Sequence, residues 1–276
     1  MGLRIKTNTQ SIVAQHKLHE NRQALESAQN KLASGQAIVT AKDDAAGLAI
    51  SENLRNTLRS TGQNIKNTQT AQYLLQTADN AIGEITNIVI RMKELAVQAA
   101  SDTNGDKERG YLNHEYQALK SELDRISESA LFNGRPLLNG QGETIKIQVG
   151  PNNNEAIDRI EVSTGFSLNT ASLGLGDLQI TNSEGARAAL EPIADALQTI
   201  AGVRGAIGAS ESRLETTLRS LMVYEENIAG AYSKIRDADI AAETAEYAKS
   251  NILNQANVAV LAQANQMPAL ALKLLG

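Results

Sequence analysis

His16 and His19 stand three residues apart in a stretch of helical periodicity, so two imidazoles would project from one helical face and could serve a metal. No third ligand completes the set that zinc requires, and the pair reads more simply as solvated side chains. Asp43 and Asp44, in "AKDDAAGLAIS", invite a metal or acid/base role. The preferred reading is plainer: they cap and charge the first turn of a long helix, offsetting its dipole. "GLG" at 174–176 lacks the remaining spacing and the strand–helix setting of a dinucleotide loop. There is no Cys nucleophile and no Gly-x-Ser-x-Gly elbow. The sequence therefore offers no catalytic, cofactor-binding or metal site, and the expectation is a protein that is not an enzyme.

Bulk properties narrow the field further. The chain has 276 residues, a net charge of −5, no Cys and no Trp, with 42% hydrophobic residues. An acidic chain without clustered Lys and Arg is a poor match for nucleic acid. Absence of Cys removes disulfides and thiolate metal sites. The first residues, "MGLRIKTNTQSIVAQHKL", contain no apolar core of the kind a secretory signal needs, so a route that reads no cleaved signal peptide is expected. Ser250 to Leu272 carries no charge, yet it holds Asn251, Asn254, Gln255, Asn257, Gln263, Asn265 and Gln266. Amides at membrane depth would each need a partner, so membrane insertion is not expected.

The elements that would position any site are mostly helical. Apolar residues recur at alternating steps of three and four in four segments, the pattern of a narrow helical seam. They are Ala14–Leu32; Leu75, Ala78, Ile82, Ile85, Val89, Met92, Ala96 and Ala99; Leu112–Ala130; and Leu190–Ile235. A continuous helix from Asp44 to Ala100 would span roughly 85 Å, about twice the width of a compact domain of this mass, which predicts a rod. Leu218, Leu221 and Ile228 are expected to pair with Ile82, Ile85 and Val89 as the rod's core. "SDTNGD" reads as a helix–helix turn and "LFNGRPLLNGQGE" as the loop that ends the third helix. Between about 141 and 182, "ETIKIQVG" and "DRIEVSTG" alternate around "PNNN", which predicts a β-hairpin, and "SLGLGDLQIT" reads as a further strand. Helix resumes near Ser183. The fold class is thus mainly α: an elongated antiparallel helical bundle or coiled coil of N- and C-terminal helices with a small β-hairpin region in mid-chain.

Six collinear stretches resemble the bacterial flagellins. "KLASGQAIVTAKDDAAGLAISENLR" (31–55) resembles the family's N-terminal signature, and "VIRMKELAVQAASDTN" (89–104) and "ELDRISESALFNGRPLL" (122–138) resemble its next two blocks. "RGAIGASESRLETTLRSL" (204–221), "KIRDADIAAETAEYAKSNIL" (234–253) and "VLAQANQMPALALKLL" (260–275) resemble its C-terminal half. The resemblance implies a structural subunit that self-assembles into the extracellular flagellar filament used for swimming. It implies an inner terminal coiled-coil domain of 1–43 with 239–276, an outer helical domain of 44–238, and no large variable outer domain. Implied partners are further copies of the chain, the flagellar export apparatus and an export chaperone, and the hook–filament junction and cap proteins. By the same resemblance, Arg91, Leu95, Gln98 and Glu115 occupy positions that a vertebrate Toll-like receptor recognises, although Ile90 replaces a polar residue usual there.

The charge-free tail is then expected to pack against neighbouring subunits around a narrow channel, with Ala and Leu filling helix contacts and the amides facing water or neighbouring copies. Both chain ends are expected to order on docking. Alternative readings are a hook–filament junction protein, which is similar at both ends, and a soluble helical binding module.

Overall fold

The structure, a computed structural model, describes residues 7–273, with side chains as far as Met267. The chain order is α1 (Thr9–Ser34), α2 (Ala45–Ala100), α3 (Asp106–Ser129), β1 (Leu131–Phe132), β2 (Arg135–Pro136), β3 (Ile145–Gln148), α4 (Glu155–Asp158), β4 (Arg159–Val162), α5 (Ser183–Arg236) and α6 (Ile240–Lys273). It divides into two compact units, one of residues up to Leu58 together with those from Asn227 onward, the other Arg59–Glu226.

In the first unit α1 packs against α6. Asn8 caps α1, its side chain accepting from the Ser11 N–H, and Gly35 ends it in the left-handed region at φ 68°. That conformation suits glycine at a helix C-terminus because no Cβ opposes the carbonyl. Asp44 caps α2: its Oδ1 accepts from Ala46 N at 3.0 Å and Gly47 N at 2.9 Å. A Cβ on residue 47 would lie 2.3 Å from Asp44 Oδ2, so Gly47 leaves room for the cap. Asp43 instead folds the preceding linker, accepting from Val39 N, Thr40 N and Thr40 Oγ1. These hydrogen bonds hold its pKa below the ordinary carboxylate value.

In the second unit the seam of α2 is buried throughout, with Ile82, Ile85, Val89 and Met92 fully so. Against it lie Ile193, Ala196, Ile200, Ile207 and Leu214 of α5, and Tyr116 and Leu123 of α3. Arg204 Nε and Nη2 meet Asp79 Oδ1 and Oδ2 at 2.8 and 3.1 Å, and this fork fixes the antiparallel register. It sets the Ile82–Val89 stretch opposite the Ile193–Ile200 stretch. The expected pairing with Leu218, Leu221 and Ile228 is therefore corrected. Leu218 lies roughly 21 Å further along α5 than Arg204, and Leu218 and Leu221 are half-buried. Ile228 belongs to the first unit.

The mid-chain hairpin is β3–β4, antiparallel with Ile145 opposite Val162 and Gln148 opposite Arg159. A second, shorter hairpin, β1–β2, occupies the stretch read as a loop. Asn133 and Gly134 turn it with φ of 49° and 77°, the left-handed pair that an Asn-Gly turn adopts readily. The "SLGLGDLQIT" segment is not a strand. Its backbone is bonded by side chains of α3: Asn113 Oδ1 accepts from Ile180 N, Gln117 Nε2 donates to Leu178 O, and Lys120 Nζ donates to Gly176 O. Gly174, at φ 71°, turns the chain so that Leu173, Leu175 and Ile180 all reach the core.

Tyr116 is fully buried, and its hydroxyl has no hydrogen-bond partner. Burial pushes its pKa from 10.0 up to about 12. Above pH 10 the unfolded chain releases this proton before the folded chain does, so Tyr116 subtracts stability as pH rises from about 10 to 12, on the order of 2 kcal/mol. Tyr116→Phe removes the unpaired hydroxyl and is expected to be neutral or to stabilise by about 1 kcal/mol near pH 7. It should also flatten the alkaline fall. Urea unfolding at pH 7 and pH 11 reads both effects; a Phe variant clearly less stable at pH 7 refutes the unpaired state.

Candidate functional site

The seam of the α1–α6 pair is partly polar. Seen from α1, the residues on the seam are Ser11, Ala14, Leu18, Asn21, Leu25 and Ala28, spaced by threes and fours and at least half-buried. Those of α6 follow the same rhythm: Glu243, Tyr247, Ser250, Asn254, Asn257, Leu261 and Ala264. Several polar groups on and beside this seam bond across the pair. Asn8 Nδ2 donates to Ala264 O at 2.8 Å, Ser11 Oγ to Asn265 Oδ1 at 2.8 Å, and Asn257 Nδ2 to Lys17 O at 3.4 Å. Lys31 Nζ meets Glu243 Oε1 at 3.2 Å.

Among the described residues of the charge-free stretch, Leu261 and Ala264 lie in the seam, whereas the other large aliphatics are exposed. Ile252 is 66% exposed, Val260 53%, Val258 49% and Leu253 40%. On α1, Val13 is 59% exposed and Ile12 47%. The expected division of labour in the tail holds only in part: Leu261 and Ala264 lie in the seam and Gln255, Gln263, Asn265 and Gln266 are exposed, but Asn251, Asn254 and Asn257 are half-buried while Ile252, Leu253, Val258 and Val260 are on the outside. The backbone of α6 stays helical through Pro268, while the side chains of 268–276 lie outside the described residues. Between Thr9, Val13 and Lys17 of α1 and Val260, Gln263 and Met267 of α6 runs an open groove of about 630 Å³.

Scattered exposed apolar residues are ordinary on protein surfaces. No group of three or more His, Asp or Glu that could hold a metal occurs among the described residues. His16 and His19 are exposed, with His19 Nε2 3.1 Å from Gln23 Nε2.

The four residues singled out on α2 and α3 divide in two. Arg91 Nε donates to Glu115 Oε1 at 2.9 Å and Arg91 Nη1 to Glu94 Oε2 at 2.8 Å, so the guanidinium bridges two exposed carboxylates. Both carboxylates raise its pKa. Gln98 is exposed on the same helix. Leu95 is 1% exposed and belongs to the core, so it presents no surface to a partner.

The joint between helices was not singled out from sequence. The start of the 35–44 linker pairs with the 237–239 linker through an antiparallel bridge between Gln36 and Asp237. The polar seam of α6 was also missed, although its three-and-four spacing of Ser and Asn was there to be found.

Comparison with known proteins supplies the context. Residues 5–143 match the bacterial flagellin N-terminal helical region, and residues 190–275 match the bacterial flagellin C-terminal helical region. The chain is 40% identical to a flagellin of Halalkalibacterium halodurans over 258 residues, covering 94% of this chain and 93% of that one. It is 34% identical to the flagellin of Bacillus subtilis over 306 residues, covering 99% and 100%. The crystal structure of Bacillus cereus flagellin is similar with a TM-score of 0.51 and 33% identity, covering 56% of this chain and 88% of that one.

Proposed function

Because the chain belongs to the bacterial flagellin family and is a structural subunit of the flagellar filament, we propose that the charge-free stretch of α6, together with Ile12 and Val13 of α1, is where one copy meets the next. The single observation that carries this reading is the placing of polar and aliphatic residues on α6. Asn254 and Asn257 occupy the intrachain seam, and Ile252, Val258 and Val260 are left facing outward. An ordinary two-helix hairpin places them the other way round. Unlike faces meeting without closing generate an open helical fibre, which is the form a filament requires.

On this reading residues 1–43 and 239–276 form the inner layer of the filament and 44–238 the outer one. Because the α1–α6 seam is poor in aliphatic contacts, the pair gains much of its order on docking, which confines growth to the filament end. The unfolded chain travels through the export apparatus with a chaperone and without a cleaved signal peptide. Its lack of Cys excludes crosslinking in transit. At the filament's ends it meets the cap and the hook–filament junction proteins, and the assembled filament serves swimming. The test is elongation: purified chain added to sheared filament seeds should extend them into long filaments visible by electron microscopy. A chain that stays soluble beside competent seeds refutes the reading.

Recognition by a vertebrate Toll-like receptor is a second proposal, supported by the exposed Arg91–Glu115 pair and Gln98; Leu95 then acts from the core by holding α2 in place. Arg91→Ala should lower the response of receptor-reporter cells by tenfold or so, the effect of losing a charged hydrogen bond. An unchanged response removes this contact.

A further inference from the structure

The linkers that join α1 to α2 and α5 to α6 meet at one arginine. Arg236, the last residue of α5, is 8% exposed. Its Nε donates to Gln36 Oε1 at 3.0 Å, on the first linker, and its Nη1 donates to Ser51 Oγ at 3.2 Å, on α2. Nη1 is also 3.7 Å from Glu52 Oε1. Around this side chain the two linkers pair as extended backbone: Ala37 N donates to Arg236 O at 2.8 Å, and Ala238 N donates to Gly35 O at 2.9 Å. Ser51 itself is fully buried.

We propose that Arg236 is a positioning residue, the lock of a two-linker joint. It fixes the direction in which the α1–α6 pair leaves the adjoining ends of α2 and α5, and hence the angle at which that pair is offered to a neighbouring copy. The argument is one of connectivity and chemistry. The linkers are ten and three residues long and carry few apolar anchors, Ile38 being the buried one. Two short backbone hydrogen bonds alone would let the joint twist. A planar guanidinium with acceptors on the linker and on α2 removes that freedom, because its donors are fixed relative to one another. Burial strengthens each bond and makes leaving the charge unpaired costly. A lysine or an apolar residue of similar length could fill the space without reproducing the fork.

The filament part of this inference rests on the assembly reading, whereas the joint itself does not, so the two are tested by separate readouts. Arg236→Met in the full chain should speed amide hydrogen exchange at Ala37 and Ala238 by about tenfold or more, the equivalent of one lost charged hydrogen bond. Helicity and the main unfolding midpoint should stay at the unsubstituted values. Grown from seeds, the variant should form filaments whose curvature or pitch differs from those of the unsubstituted chain. The double variant Gln36→Ala/Ser51→Ala keeps the arginine stem and removes its two acceptors. It should reproduce both effects, and it serves if the Met variant does not fold. Unchanged exchange at both amides overturns the lock. Faster exchange with unaltered filament form overturns its role in setting the angle. If the unsubstituted chain fails to elongate competent seeds, the assembly reading falls while the exchange result still judges the joint.

Discussion

Full-length chain carrying Ile252→Asp is expected to fold as before and to lose seeded elongation, with the concentration needed for growth rising by about a hundredfold or more. The expectation follows from where the side chain sits. Ile252 is 66% exposed, so the isolated subunit loses almost nothing when it is replaced. In a filament the same position would be covered by another copy. Two contributions then change together. Burial of an aliphatic side chain, about 1.5–3 kcal/mol, is forfeited. A carboxylate must also enter a stretch that has no charge from Ser250 to Leu272 and hence no cation of its own to pair with. The effective penalty for burying an unpaired ion is several kcal/mol. Every 1.4 kcal/mol is a factor of ten in an association constant, so even partial coverage gives the hundredfold change. Asn265→Asp is a control for charge alone, because the new carboxylate can still accept from Ser11 Oγ and the position is not among the outward aliphatics. Sedimentation of seeded reactions over a concentration series measures the effect. An Ile252→Asp chain that elongates as the unsubstituted chain does would show that this face is not covered in the filament.

Much of this architecture is written in the spacing of residues, and the parts that were misread share a physical reason. The α2 seam from Leu75 to Ala99 was legible because aliphatic residues at threes and fours have one economical arrangement, burial on a single face. The α6 seam follows the same spacing but mixes Ser250, Asn254 and Asn257 with Leu261 and Ala264, and that mixture carries too weak a hydrophobic signature to be read as a seam. Register could not be read at all from apolar spacing. Sliding two heptad helices by seven residues preserves every apolar pairing, and the slip is excluded only by particular polar contacts such as Arg204 with Asp79. That is why Leu218 was paired with the wrong part of α2. In the middle of the chain, alternation at 145–148 and 159–162 located the larger hairpin. At 172–181 a similar alternation of Leu and Gly misled, because the hydrogen-bond partners of that backbone are the side chains of α3 and not a neighbouring strand. The Asn-Gly turn at 133–134 carried a hairpin signal that the flanking strands, two residues each, were too short to reinforce.

The register also decides which core substitution costs most, and by how much. Ile85→Ala should destabilise the Arg59–Glu226 unit by about 2–5 kcal/mol, whereas Leu218→Ala should cost roughly half as much or less. Ile85 is completely buried among α2, α3 and α5 residues, so truncation removes its methylenes from a filled space and leaves a cavity that rigid helices close poorly. Leu218 is half-buried on a stretch of α5 that faces the more polar part of α2, where Thr61, Asn64 and Thr68 are buried and the Asn64 amide nitrogen lacks a partner. Water reaches the truncated site there, and little cavity term is added. For a unit of this size each kcal/mol lowers the midpoint by about 2–4 °C, so the two variants should be separated clearly by thermal unfolding. Guanidinium unfolding supplies the same ranking without the risk of thermal aggregation. If Leu218→Ala proved as damaging as Ile85→Ala, the Arg204–Asp79 register would be wrong. The α2–α5 pair would then have to slide until Leu218 came to lie opposite the fully aliphatic half of α2.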